Sequence, residues 1–154
     1  MDGSSFMDMA LTEAEAAGGR GEVPVGAIVV NSASGQVIAR AGNRVEETRD
    51  PTAHAEMLAI RAAVTELVGN PLGRALSGHD LYVTLEPCPM CAQAIAFAHI
   101  GRLYYGAGDP KGGGVEHGPR IFAQRSCHHR PDIYPGIGEK RAGALLRDFF
   151  EALR

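Results

Sequence analysis

"VTLEPCPMCAQAIAF", residues 83–97, joins an alternating apolar run to a helical one and carries two cysteines at the junction. The alternation before the junction predicts a β-strand, and the residues after it predict a helix. A residue before proline is disfavoured in the α region, so Cys88 is expected at the N-cap of this helix, with Pro89 at its first position. Cys91 follows one turn later. Strands that alternate with helices along the chain, as this one does with its helix, favour an α/β fold.

The two cysteines suit a metal site, a redox couple or one half of a structural zinc site. The positive end of the helix favours the thiolate form of both side chains, and thiolates bind metals. A thioredoxin-like pair has the same local spacing, and two thiolates alone do not fill the coordination sphere of zinc. The chain has three cysteines, the third being Cys127, and an odd number without a framework of spacings argues against a disulfide scaffold.

A histidine and a glutamate at the start of an earlier helix provide further groups. "DPTAHAEMLAIRAAVTELVGNP", residues 50–71, repeats apolar residues at helical spacing between two prolines. His54 can supply a third ligand, and Glu56 lies on a neighbouring face, where it can reach a bound water or a substrate. Three protein ligands leave the fourth zinc position open, whereas a structural site needs a fourth protein ligand. H-x-E followed by P-C-x-x-C is the signature of the zinc-dependent nucleobase deaminases.

The remaining elements predict an α/β sandwich around a mixed sheet. Residues 4–17 read as an amphipathic helix, and "VPVGAIVVN" with "GQVIARAG" predicts an antiparallel hairpin. We expect the cysteine helix to end at Gly101, followed by the strand "RLYYGA". Residues 106–118 are expected to form a glycine-rich loop, and residues 139–153 a terminal helix with its leucine and phenylalanine pairs inward or at an interface. The length predicts one domain over residues 1–154.

Composition and charge narrow the class of protein. The 154 residues are 45% hydrophobic and 21% charged, as in ordinary globular proteins. The sequence contains no signal-peptide pattern and no apolar run near the roughly 18 residues of a membrane span, so we expect a cytoplasmic protein. The net charge of −3 and the pI near 6.0 argue against sequence-blind electrostatic binding of nucleic acid but are compatible with a local basic patch.

Beyond the signature, the chain resembles the bacterial tRNA-specific adenosine deaminases. The resemblance rests on "EVPVGAIVV", "GNRVEETRDPTAHAEMLAIR", "LYVTLEPCPMCAQAIAFAHIGRLYYGAGDPKGG" and "LLRDFF", which occur in the family's order over most of residues 6–150. It implies a cytidine deaminase-like fold, which is a three-layer α/β/α sandwich around a mixed, mostly five-stranded sheet. It also implies hydrolytic deamination of adenosine to inosine at the wobble position of a tRNA anticodon.

For the catalytic centre, the resemblance implies one Zn²⁺ per chain. His54, Cys88 and Cys91 are the expected ligands, and the zinc would convert a bound water to hydroxide near neutral pH. Glu56 is expected to remain off the metal and to act as general base and general acid.

The resemblance also implies three residues that contact the substrate and two macromolecules that bind the protein. Asn43 is expected to contact the flipped base, although asparagine after glycine is also common in turns. Asp109 and Lys111 match a loop that contacts the ribose-phosphate backbone; an ordinary solvated loop is the alternative. The expected partners are a tRNA anticodon stem-loop and a second copy of the chain, with no membrane and no DNA.

Two other functions share parts of the pattern. A deaminase of a free base or nucleoside, such as guanine or cytosine, uses the same metal core. The segments "NRVEETRDPTAHAE" and "GAGDPKGG", however, resemble the tRNA enzymes. A non-catalytic zinc module would have four protein ligands and no need of Glu56, and the three-ligand pattern disfavours it.

The other polar clusters are given simpler interpretations. Cys127, His128 and His129 are consecutive and cannot all face one ion in regular structure. A plain loop is therefore favoured, followed by a role in lining the substrate pocket or a dimer surface, and a second zinc site is least favoured. His99 is expected to be partly buried.

Some family members continue the terminal helix with a basic run, which is missing here after the Phe-Phe pair. Binding of tRNA is therefore expected to depend on scattered cations, namely Arg20, Arg44, Arg49, Lys111, Arg120, Arg125 and Arg130.

Overall fold

The computed structural model describes residues 3–154, so Met1 and Asp2, which the one-domain prediction includes, lie outside the described residues. The helices are α1 (Gly3–Gly19), α2 (Val45–Thr48), α3 (Ala55–Glu66), α4 (Pro89–Ala98) and α5 (Glu139–Ala152). The strands are β1 (Gly26–Asn31), β2 (Val37–Gly42), β3 (His79–Leu85), β4 (Arg102–Ala107) and β5 (Asp132–Tyr134). None of these helices has the length and apolar character that a membrane span requires.

The strands form one mixed sheet in the order β2-β1-β3-β4-β5. β1 pairs antiparallel with β2 and β3, whereas β3, β4 and β5 are parallel to one another. The predicted hairpin and the mixed five-stranded sheet are therefore confirmed. Because β3 and β4 are parallel, with Leu85 opposite Ala107, the residues that follow both strands meet at one edge of the sheet, here called the carboxyl edge.

Helices cover both faces of the sheet. Along β1, Ala27 and Val29 are buried in a core shared with α3 and α4, whereas Ile28 and Val30 are buried in a core shared with α1 and α5. A strand that is buried on both faces has a continuous apolar sequence, as "GAIVV" does. The predicted three-layer α/β/α sandwich is confirmed.

Three tyrosines stack across the sheet on the side of α1 and α5. Tyr82, Tyr104 and Tyr134 occupy paired positions on β3, β4 and β5. The ring centroids lie 4.3 Å apart between Tyr82 and Tyr104 and 4.8 Å apart between Tyr104 and Tyr134. Phe6 of α1 contacts Tyr82 at a centroid distance of 5.3 Å. The alternation in β3 therefore separates two covered faces, because Tyr82 is buried like its neighbours Leu81 and Val83.

Three features differ from the sequence prediction, namely the short helix α2, the strand β5 and the end of α4. β5 lies outside every predicted strand, since three residues are too few to show an alternating pattern. α4 ends at Ala98 rather than at Gly101, because His99 adopts a left-handed conformation with φ of 61°. In that conformation the His99 N–H donates to the carbonyls of Ile95 and Ala96, which terminates the helix.

The contact between α1 and β1 predicts a stability effect at Gly26. A Cβ atom on Gly26 would overlap the carbonyl oxygen of Ala10 and lie 2.6 Å from the Ala14 nitrogen. We expect Gly26→Ala to lower the free energy of unfolding by about 1–3 kcal/mol, as overpacking of a core does. Denaturant unfolding measures this change. Gly73→Ala is the control, since nothing lies within 4 Å of a Cβ at that position, and equal midpoints for the two variants would contradict the expectation.

Candidate metal centre and active site

The structure brings His54, Cys88 and Cys91 together at the carboxyl edge. Their ligand atoms all lie within 4.8 Å of one another. The Nδ1 atom of His54 is 3.6 Å from the sulfur of Cys88 and 3.5 Å from that of Cys91. One imidazole and two sulfurs form a borderline-soft donor set with three members, which fits zinc and leaves a fourth position for a small ligand.

Each of these residues is placed by the start of a helix. His54 is the N-cap of α3 and Cys88 the N-cap of α4, both with extended backbone, and Pro89 follows Cys88 at the first helical position. The local geometry predicted for Cys88 is therefore confirmed. Cys91 is buried in the first turn of α4. Two helix amino ends, each with a partial positive charge, thus converge on the same three side chains.

Small side chains allow the two helices to pack closely on the sheet. α3 buries Ala55, Ala59 and Ala63 at helical spacing, and α4 buries Ala92 and Ala96. Alanines present little bulk between helix and strand, so the helix backbones can lie near the sheet and near each other. The distance between His54 and the two cysteines follows from this packing.

The two sulfurs differ in protonation because they share a hydrogen bond. The Cys91 thiol and then the His54 ring stabilise the thiolate of Cys88 and lower its pKa to about 4. The same thiolate, together with burial, raises the pKa of Cys91 well above its ordinary value. It also raises the pKa of His54, through its hydrogen bond to the ring. Without metal, Cys88 is therefore the thiolate of the group, and the raised pKa values of Cys91 and His54 favour their protonated forms.

Glu56 lies beside this group but is not part of it. Its carboxyl follows His54 by two positions in the first turn of α3 and is buried, with 4% of the residue exposed. Burial raises the pKa of Glu56 to about 7, and the charge of the nearby Cys88 acts in the same direction. Among the described residues, the three-ligand group consists of the histidine and the two cysteines without this carboxyl.

Asn43 lies at the cavity that opens next to His54. Its Oδ1 accepts a hydrogen bond of 2.8 Å from the Ala55 N–H, so the amide NH₂ is the remaining polar group of this side chain. This cavity, of about 530 Å³, is lined by Asn43 and His54 and by Phe149 and Phe150 of α5. The sequence pattern placed the phenylalanine pair inward or at an interface but did not connect it with the site, since nothing local links residue 150 to residue 54.

Asp109 and Lys111 lie in the loop that follows β4. Lys111 is exposed and lines a second cavity of about 600 Å³, which shares Phe150 with the first. The Oδ1 of Asp109 accepts the N–H groups of Lys111 and Gly112 at 3.2 and 3.0 Å, so this carboxylate shapes its own loop. The two cavities adjoin at Phe150 and are together called the groove here. Lys111 thus lines the second part of the groove, whereas one oxygen of Asp109 already has partners within the loop.

A buried carboxylate that the sequence analysis did not assign supports Asn43. Glu22, only 2% exposed, accepts the N–H groups of Glu46 and Glu47 at 3.0 and 2.8 Å. It thereby holds the segment that follows Asn43 against the end of α1. The signal in the sequence is an acidic residue directly before the apolar run of β1, where a carboxylate is buried only if it is bonded.

The cluster around Cys127 forms structure of its own. The Cys127 thiol donates to the carbonyl of His129 at 3.1 Å, and the His129 ring lies 2.6 Å from the carbonyl of Ile100. His99 is half-buried, as expected, and stacks on His129 with ring centroids 4.4 Å apart. Within residues 3–154, no second set of three close ligand atoms accompanies the first.

The protonation of the metal-free centre predicts a pH-dependent affinity for zinc. Cys91 and His54 must lose their protons to bind, whereas Cys88 is already a thiolate near pH 7. We expect roughly one to two protons to be released per zinc, with affinity rising from about pH 6 to 8. Calorimetric titration in buffers of different ionisation enthalpy gives this number. Cys127→Ser should release the same number, and an affinity independent of pH would contradict the assignment.

Comparison with known proteins agrees with this geometry. The chain matches the zinc-binding region of cytidine and deoxycytidylate deaminases over residues 2–107. A tRNA-specific adenosine deaminase from Agrobacterium fabrum is 56% identical over 149 residues, or 97% of this chain and 94% of that protein. A structure from a study of A-to-I editing by tRNA:A34 deaminases at the wobble position superimposes with a TM-score of 0.87 and 55% identity, covering 93% of this chain and 99% of the other.

A more distant neighbour has a different substrate. The structure of a guanine deaminase from Nitrosomonas europaea superimposes with a TM-score of 0.77 and 25% identity, covering 96% of this chain and 84% of that one. The fold is thus shared with a guanine deaminase, whereas the high identity is with the tRNA-specific enzymes. The chain therefore belongs to the cytidine and deoxycytidylate deaminase family, among its tRNA-specific adenosine deaminases.

Proposed function

We propose that this enzyme converts adenosine to inosine at the wobble position of a tRNA anticodon. The observation that carries the proposal is the group of His54, Cys88 and Cys91 with the buried, non-ligating carboxyl of Glu56 beside it. Three ligands and one separate acid-base group are what hydrolytic deamination requires. The similarity to tRNA-specific adenosine deaminases over nearly the whole chain supports the choice of substrate.

The metal ligands and Glu56 have separate roles in this reaction. His54, Cys88 and Cys91 would hold one zinc, which when bound lowers the pKa of a coordinated water toward about 7. Glu56 accepts the proton that the water loses and delivers it to the ring nitrogen next to the carbon under attack. It then takes the remaining proton from the oxygen that has been added to the ring carbon and transfers it to the departing amine, as the carbon–nitrogen bond breaks and the carbonyl of inosine forms. Water and adenosine are consumed, and inosine and ammonia are released, so the carboxylate ends in its starting state.

The groove beside His54 suits a nucleotide held in RNA. Its first part, about 530 Å³, falls within the range of small-molecule sites, and the Asn43 NH₂ can donate to a purine there. Phe149 and Phe150 meet edge to face at 5.3 Å and offer ring surfaces on which unstacked bases can pack. The groove thus continues beyond the space that a single base would need.

Cationic side chains line the second part of the groove, where the phosphate backbone of the RNA would lie. These are Lys111, Arg147 and Arg154. Arg44, by contrast, is bonded to Glu47 at 2.7 Å, and Arg20 donates to the Asn43 carbonyl at 3.2 Å, so these two cations support the protein itself. We infer that binding of the RNA backbone depends chiefly on Lys111 and its neighbours, with Asp109 shaping the loop that presents Lys111.

We further propose that the enzyme acts as a homodimer in the cytoplasm, where its tRNA substrate would be found. An exposed apolar surface next to α4 supports a partner chain, because Phe97 is 72% and Leu72 is 78% exposed. Both residues lie on the side of the sheet that carries the metal centre. Sedimentation of the zinc-loaded chain at several concentrations tests the dimer, and cell fractionation tests the location.

The substrate assignment predicts which molecules are deaminated. We expect an anticodon stem-loop with adenosine at the wobble position to be converted to the inosine form, while guanine, cytosine and cytidine remain unchanged. The rate constant kcat/KM should fall as salt rises from about 50 to 200 mM, since backbone contacts release counterions. Chromatography of the digested RNA measures the inosine. Faster turnover of a free base than of the stem-loop would reject the assignment.

The role of Glu56 predicts a variant that binds metal but does not turn over. Glu56→Gln keeps the shape of the side chain and removes its ability to accept a proton. We expect kcat to fall by about 10²–10⁴-fold, with zinc content unchanged. Cys88→Ala should lose both zinc and activity. Glu66→Gln, at the exposed end of α3, is the matched control, and near-normal activity of Glu56→Gln would refute the mechanism.

A further inference from the structure

Glu86 connects the metal centre with the loop that carries Lys111. It follows the last residue of β3 and precedes Cys88 by two positions, and its N–H donates to the Ala107 carbonyl at 2.8 Å. Only 1% of the residue is exposed. The side chain is therefore enclosed at the carboxyl edge, where the ends of β3 and β4 meet. The mechanism described above gives this carboxylate no role.

The carboxylate accepts hydrogen bonds from both ends of one loop. Oε1 accepts the Asp109 N–H at 3.0 Å and lies 2.6 Å from Nδ1 of His117. Oε2 accepts the N–H groups of Val115, Glu116 and His117, at 3.1, 3.0 and 3.1 Å. Four backbone donors on one buried carboxylate compensate for its loss of water. Residues 110–114 lie between these attachment points, so Glu86 closes the loop at its base.

The same loop touches the segment that carries Cys88. The Gly114 N–H donates to the Pro87 carbonyl at 2.8 Å, and a Cβ on Gly114 would lie only 2.8 Å from the carbonyl carbon of Cys88. A Cβ on Gly113 would lie 2.5 Å from the carboxyl carbon of Glu86. The loop backbone thus fills the space between the Glu86 carboxylate and the peptide of a metal ligand. Loss of hydrogen bonds between Glu86 and the loop would therefore move the loop backbone at Lys111, which lies two positions before Gly113.

We propose that Glu86 is a positioning residue for the RNA substrate, which it serves by fixing the loop 108–117 and with it the direction of Lys111. The inference rests on the proposed function, in which Lys111 contacts the RNA backbone. Glu86 itself contacts neither metal nor substrate; it acts through the hydrogen bonds to the loop.

The pattern of donors makes glutamine a selective probe. In Glu86→Gln the amide oxygen is best placed at the Oε2 position, because three N–H groups point there. The amide NH₂ then takes the Oε1 position and faces the Asp109 N–H, so that two donors oppose each other. The end of the loop at residues 115–117 stays attached, and the end at Asp109, nearest Lys111, is released.

The test measures stem-loop deamination by Glu86→Gln. We expect KM to rise roughly tenfold, with kcat and zinc content within about twofold of the unaltered enzyme. Hydrogen exchange should increase in residues 109–112 and not in residues 115–117. Asp80→Asn is the matched control, since Asp80 is an equally buried carboxylate at the other end of β3, bonded to Ser32 and Arg102, and its KM should not change.

Further variants separate positioning from general support of the fold. If Glu86→Gln lowers kcat and zinc content together at unchanged KM, the residue is merely structural and the inference is overturned. In a Lys111→Ala background, Glu86→Gln should add little to KM, and fully additive effects would overturn it as well. His117→Ala removes one contact from a partly exposed ring and should raise KM about two- to threefold even if the glutamine variant does not fold.

Failure of the inference can be told apart from failure of the proposed function. If the unaltered enzyme leaves the stem-loop unchanged, the proposed function is overturned and this inference with it. If the enzyme is active but its KM does not change in Glu86→Gln, the inference alone is overturned.

Discussion

The metal centre depends on the adjacency of two helix amino ends. Neither helix has enough ligands alone, because α3 contributes one imidazole and α4 two sulfurs. The sheet fixes both starting points, since α4 begins directly after β3 and α3 packs against β1 and β2 on the same face. Alanines at the contact surfaces keep the helices close. A larger side chain at Ala59 or Ala92 would therefore change the distances between the ligands as well as overpack the core.

Those parts of the site that depend on local chemistry could be predicted from the sequence. Pro89 disfavours the helical conformation at Cys88 and suits the first position of a helix, and both effects are local to these two residues. The spacing of His54 and Glu56 places one side chain toward a metal and the other beside it. The hairpin and the long helices follow from hydrophobic periodicity, which is a strong signal in segments of this length. The family resemblance supplied the strand number, which the pattern alone does not give.

The features that sequence reasoning missed all depend on contacts between distant segments. Glu86 lies within the quoted cysteine stretch, yet its partners lie 23 to 31 positions later in a loop without periodicity. Asp109 was expected to face the substrate, and the structure additionally gives one of its oxygens a role in the turn. β5 is too short to be read as a strand, and its three residues are ordered by pairing with β4. No local propensity encodes such pairings.

The stack of Tyr82, Tyr104 and Tyr134 has a practical consequence for spectroscopy. The chain contains four tyrosines and no tryptophan, so its near-ultraviolet circular dichroism comes chiefly from tyrosine, and three of the four rings lie in this stack. Tyr82 and Tyr104 pack in the core formed with α1 and α5, on the face of the sheet opposite to α3 and α4, whereas Tyr105, the fourth tyrosine, is buried in the core on the other face. The stack therefore contributes a signal from the layer that is remote from the metal ligands, and Tyr105 contributes one from the layer that carries them. Unfolding of the sheet can thus be followed in an unlabelled sample through tyrosines in both layers.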